Sequence, residues 1–229
     1  MGFFLTQAPT FTLYGDGTVI FQPIDNRPNA FDAARLPWLV GNLDEEAVQA
    51  LLTFALTEGR LANAREQYDQ GMVADAPTTT FSLNAGGQNK TVNVPALMEL
   101  TQPGPDAADR QGFLQLSQVL SAFQSQEELG DVQPYEAELY RVVLIEGFGE
   151  PVGEPLDWPW DDVTPADFMA GDESGAIANL DAEHVADLLE VPNGGHPGVW
   201  VLDPDENLVQ LGVRPLLPEE TAAIEKVSG

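Results

Sequence analysis

The sequence predicts an α+β fold built from two related units, and three observations carry that prediction. An eleven-residue stretch occurs twice. Each copy is followed by alternating apolar residues interrupted by a turn, which is hairpin patterning. Apolar stripes at helical spacing accompany both hairpins.

The repeat comes first, because an internal repeat sets the frame for the rest of the fold. Residues 42–52 read Asn-Leu-Asp-Glu-Glu-Ala-Val-Gln-Ala-Leu-Leu, and residues 179–189 read Asn-Leu-Asp-Ala-Glu-His-Val-Ala-Asp-Leu-Leu. The shared positions describe a helix start. Asp44 and Asp181 suit the N-cap, where a carboxylate accepts from the free amides of the first turn. Leu43 with Val48, and Leu180 with Val185, have hydrophobic-staple spacing. Glu46 and Glu183 place negative charge against the positive end of the helix dipole. Val48, Leu51, Leu52 and Ala55 form one apolar stripe, and Val185, Leu188 and Leu189 form another.

The other elements follow in chain order. Thr10–Pro23 reads as a hairpin around Gly15-Asp16-Gly17. A three-residue loop pairs Leu13 with Val19 and Phe11 with Phe21, with Gly17 at positive φ. Thr78–Val94 reads as a second hairpin turning at Ala85-Gly86-Gly87. Phe113, Leu116, Leu120 and Phe123 space a helix. Gln126–Pro134 is polar, acidic and broken by Gly130, and marks a boundary. This gives a first unit over residues 1–130 and a related second unit over 131–229, packed on the first. In the second unit, Ala137–Glu146 is a strong strand, and Val199–Val213 is a hairpin around Asp203-Pro204-Asp205-Glu206-Asn207. Glu150–Gly175 is a long irregular segment whose Trp158, Trp160, Phe168 and Met169 are expected to pin it to a core.

Charge excludes several functions. The 229 residues hold 37 acidic and 9 basic side chains, a formal net charge of −28, with Lys90 and Lys226 the only lysines. Nucleic-acid affinity rests on phosphate neutralisation by Lys and Arg, so DNA or RNA is not an expected partner. Anionic membrane surfaces should repel the chain, and no apolar run is long enough to span a bilayer. A solvated acidic face, adaptation to high salt and contact with divalent cations all fit this charge. With no cysteine, thiolate catalysis, zinc-thiolate sites and disulfides are ruled out.

Catalytic patterns are missing: the chain has no Walker A loop, dinucleotide turn, Gly-x-Ser-x-Gly elbow or His-Glu-x-x-His helix. No catalytic, cofactor-binding or metal-ligating residue is therefore assigned. His184 falls at N3 of the repeated helix, where the other copy has Ala47, and is expected to be an exposed helical histidine. His196 lies in the flexible Asn193–Gly198 turn, which could present an imidazole. Asp203-x-Asp205-x-Asn207 resembles the start of a calcium loop. Leu208 and Arg214 stand where an EF-hand needs Gly and Glu, so an Asp-Pro hairpin turn is the better reading.

The segments Pro9–Ile20, Asp75–Gly87 and Val213–Glu220, with the helix between the first two, resemble an uncharacterised bacterial family whose members are often secreted proteins or lipoproteins. The resemblance rests on turns and strands, so it implies a fold and a setting outside the cytoplasm, secreted or lipid-anchored in the full-length form. It implies no catalytic residues. The favoured expectation is a non-enzymatic extracytoplasmic binding or interaction module for a protein or small-molecule partner. One alternative is a hydrolase that uses carboxylates, with or without a divalent cation. Another is an inhibitor-type protein presenting the 150–175 loop, with Trp158 and Trp160 as exposed anchors. Trp158, Trp160 and His196 are thus the candidate interaction residues. Oligomeric state is left open.

Overall fold

The structure is a computed structural model that describes residues 8–23, 38–69, 73, 75–98, 104–123, 129–146, 151, 154–170, 175–191 and 198–228. The fold class is α+β. The chain divides into two compact units, one from Thr10–Ile24 and Leu39–Gln133, the other built mainly on Pro134–Gly229.

The first unit opens with strands β1 (Phe11–Leu13), β2 (Thr18–Phe21) and β3 (Leu39–Asn42), which pair antiparallel in that order. Phe11 faces Phe21 and Leu13 faces Val19, the register that the three-residue loop requires. Gly17 takes φ +89°, and its carbonyl receives the Leu43 amide at 2.9 Å. A side chain at Gly17 would overlap the Leu43 carbonyl, so glycine is demanded here by both conformation and space. The two-residue β6 (Gln133–Pro134) completes this sheet beside β3.

Helix α1 (Glu45–Leu56) starts where the repeat places it. The Asp44 carboxylate accepts from the Ala47 amide at 2.8 Å. Val48 is buried with Val19, Phe21, Leu43 and Phe123 in one cluster, while Ala55 enters a second. That second cluster lies under the hairpin of β4 (Thr78–Ala85) and β5 (Gln88–Pro95). Gly86 and Gly87, both at positive φ, make its two-residue turn. Helix α2 (Ala107–Ser121) packs Phe113 and Leu116 into the same cluster, with the Phe113 ring edge-on to Tyr68 at 5.0 Å. Phe123 corrects the predicted stripe. It lies past the end of α2 and turns into the first cluster, edge-on to Phe11 at 4.7 Å.

The second unit is a six-stranded sheet. In chain order its strands are β7 (Leu139–Glu146), β8 (Leu156–Asp157), β9 (Met169–Ala170), β10 (Ala176–Asp181), β11 (Val199–Leu202) and β12 (Leu208–Pro215); across the sheet they run β8-β11-β12-β7-β10-β9. All pairs are antiparallel except β8–β11, which is parallel. Helix α3 (Ala182–Glu190) buries Val185 and Leu188 against Val142, Val201, Leu211 and Val213. Helix α4 (Pro218–Ser228) follows β12.

In both units a strand feeds a capped helix and a hairpin follows. The hairpins are used differently. β4–β5 forms a two-stranded sheet of its own, whereas β11–β12 joins the central sheet through β12 and β7. The alternating pattern that identifies a hairpin carries no information about which third strand will accept it.

Candidate functional site

Trp158 and Trp160 are docked onto their own unit. Trp160 is 8% exposed, and Trp158 packs half-buried against the same core. Their rings meet edge-to-face at 5.2 Å, and Phe168 lies 6.2 and 6.3 Å from them. Each indole N–H is also committed. Trp158 donates to the Val163 carbonyl at 2.7 Å, and Trp160 to the His184 carbonyl at 2.8 Å. Aromatic stacking and satisfied N–H groups make these residues pins of the loop, not free anchors. His196, with the turn before Gly198, lies outside the described residues.

His184 stands at N3 of α3, as the helix pattern predicts, but its side chain is engaged. It is not a solvated helical side chain but sits between two acids, 30% exposed. Nδ1 lies 2.8 Å from Asp181 Oδ1, and Nε2 lies 3.3 Å from Asp162 Oδ2. Asp181 also caps α3 by accepting from the His184 amide at 3.1 Å. The hydrogen bond that the ring donates to Asp181, and then the one to Asp162, raise the imidazole pKa above its ordinary value. The same contact with His184 holds the Asp181 carboxyl below the usual carboxylate range. With both ring nitrogens facing carboxylates, the doubly protonated imidazolium is the matched state, and neither nitrogen is left to serve as a base.

This arrangement has a pH signature. A histidine whose pKa is raised by folding stabilises the native state fully below its unfolded value of about 6.5, and the gain fades as pH rises through the native value. Asp181, whose pKa is lowered, sets the other edge: its contribution is lost as pH falls through its native value. His184→Gln should therefore cost more stability at pH 5.5 than at pH 8.5, read as urea midpoints. An equal cost at both pH values would show that the imidazolium is not held.

The calcium-like sequence forms an Asx turn. Asp203 Oδ1 accepts from the amides of Asp205 at 2.9 Å and Asn207 at 2.8 Å, and the Asn207 side chain donates back to the same carboxylate. Its oxygens are spent on closing the β11–β12 loop. Among the described residues, no three His, Asp or Glu side chains are placed to hold a metal ion, and no helix is long and apolar enough to cross a membrane.

The β4–β5 hairpin carries a surface feature that the sequence reading passed over. Ala85 and Gln88 flank a two-residue turn, so they exchange backbone bonds, and so do the pairs at every second position back to Thr79 and Val94. The intervening residues point their backbone groups outward. On β5 this is seen directly: the Asn93 amide donates to the Glu66 carbonyl, and the Asn93 carbonyl accepts from Tyr68. On β4 the matching groups belong to Thr78, Thr80, Ser82 and Asn84, whose side chains are all exposed. Among the described residues β4 pairs with β5 alone. The signal was available in sequence, since no charged residue occurs from Ala76 to Asn89. Edge strands are commonly guarded by charge, proline or a bulge, and β4 has none of these along its length.

No protein-family model matches the chain, and neither a curated protein nor a solved structure is significantly similar to it.

Proposed function

We propose that this protein is a non-enzymatic binding module that works outside the cytoplasm and takes an extended segment of a partner protein onto the free edge of β4. The open, uncharged edge is the observation that carries the reading. Strand addition supplies affinity through main-chain bonds and suits an edge of this length. The partner segment is cationic: a chain with net charge −28 attracts basic surfaces and repels acidic ones. The setting outside the cytoplasm rests on the sequence resemblance and the acidic composition.

The rival readings draw less support. A carboxylate-based hydrolase needs converging acids that are free to act, and Asp162 and Asp181, which converge, are both engaged by His184. An inhibitor loop needs exposed anchors, and Trp160 is enclosed.

The test uses a panel of lysine- and arginine-bearing decapeptides. Binding is expected for peptides able to extend. Ser82→Pro removes one outward N–H, no backbone bond of the hairpin and only the long, exposed Ser82 Oγ···Thr91 Oγ1 contact at 3.5 Å, so it should weaken that binding about tenfold, the worth of one or two hydrogen bonds, with the melting temperature little changed. Binding that is indifferent to Ser82→Pro would remove the β4 reading. Enzyme-like turnover of simple ester, glycoside, peptide or phosphate substrates would remove the non-enzymatic one.

A further inference from the structure

Three polar side chains stand in a row across the centre of the six-stranded sheet. Arg214 of β12 lies opposite Arg141 of β7, and Arg141 lies opposite Asn179 of β10. Opposed residues in antiparallel pairs project from the same face, so the three are neighbours. Only nine basic residues exist in the chain, and two of them meet here.

Their charges are not balanced. Glu220, in the first turn of α4, grips Arg214 with both oxygens, at 2.8 and 2.7 Å, and also accepts from the Leu217 amide at 3.1 Å. Arg141 reaches that carboxylate only at 3.7 Å. Two guanidiniums thus share one carboxylate that is already bidentate on one of them. Arg141 is 23% exposed, so it is largely desolvated yet reachable from solvent. Among the described residues its Nε is buried without an acceptor, and the neighbouring Asn179 Oδ1 is buried without a donor. Burial, followed by the charge of Arg214, lowers the Arg141 pKa despite the pull of Glu220.

A desolvated cation with only a shared and distant counter-charge is costly. Water can satisfy the orphaned Nε and Oδ1, but it cannot supply the missing negative charge. An anion with planar paired oxygens can, because that shape matches the guanidinium fork. The unpartnered Asn179 oxygen adds a second requirement, a hydrogen-bond donor beside the anion.

We propose that Arg141 and Asn179 form a binding site for a small 2-hydroxycarboxylate. The carboxylate pairs with Arg141, and the hydroxyl donates to Asn179 Oδ1. Arg214 stands behind Arg141 and keeps Glu220 occupied. This site is independent of the β4 edge.

The probes are sodium lactate and sodium acetate, titrated against NaCl at constant ionic strength while the melting temperature is followed. Both should raise it saturably, as ligands of the native state do. Lactate should bind about tenfold tighter, the worth of one added hydrogen bond to a buried acceptor. Arg141→Met should fold and respond to neither. Asn179→Ala should respond to both salts alike. A wild-type melting temperature that tracks ionic strength alone overturns the proposal, as does an Arg141→Met protein that responds like wild type. If Arg141→Met does not fold, the Arg141 Nε–Hε resonance of the wild-type protein decides: a saturable shift with lactate supports the site, and an unmoved resonance overturns it.

Discussion

Glu220→Gln is expected to destabilise the protein by about 3 kcal/mol. Removing one partner of an enclosed ion pair costs about 3–5 kcal/mol because the other charge stays behind, and the low end applies since Glu220 keeps 26% exposure. Arg214 is 7% exposed and would lose both arms of its fork. Glutamine keeps the shape and one acceptor but leaves Arg141 and Arg214 facing each other uncompensated. The pH dependence follows from the opposing influences on Glu220. Burial pushes its carboxyl up, while the hydrogen bonds from Arg214 and the Leu217 amide, and the two guanidinium charges, pull it down further; the net pKa is lowered. A lowered carboxyl contributes stability above its unfolded value and loses it as pH falls through the native one. Urea denaturation should show the gap between wild type and variant at its widest at neutral pH, closing in acid. A variant as stable as wild type at pH 7 would mean that the pair is solvated.

Trp160→Ala should cost a similar amount, about 3–5 kcal/mol, the usual range for truncating a buried aromatic. The cavity would open between Trp158, Phe168 and the start of α3. The His184 carbonyl would lose its donor, and Asp162, two residues from Trp160, would lose the support that holds it near His184. Near-ultraviolet circular dichroism should lose the signal of the paired indoles, and the His184 titration should move back toward an ordinary imidazole. Trp160→Phe should keep part of the packing and cost less. If Trp160→Ala melts like wild type, the loop is not pinned through this ring.

The features legible in the sequence are those fixed within about a dozen residues. Asp44 and Asp181 cap their helices because a carboxylate before an apolar stripe has amides within reach. Gly17 sets the first hairpin register, and Gly86-Gly87 the second, because turn geometry determines which residues face each other. Features that depend on distant pairing were not legible. Nothing in Ala176–Asp181 announces that it lies beside Leu139–Glu146, so the row of Asn179, Arg141 and Arg214 could not be foreseen. His184 and Asp162 are 22 residues apart, and Trp160, two residues before Asp162, brings them together by donating to the His184 carbonyl. Asp181, three residues before His184, was the half of that contact visible in sequence. The β4 edge was recognisable as a strand, but that it has no outer neighbour among the described residues depends on distant pairing.

Asp181 is at once the last residue of β10, paired with Leu139, and the cap of α3. No linker separates strand from helix, so the helix has no joint about which to swing. Opening α3 must strain the sheet, and peeling β10 away must uncap the helix. The two elements should therefore open to solvent as one cooperative block, with their amides exchanging together. Whatever binds on this sheet would act on the helix through this shared residue as well as through the packing of Val185 and Leu188.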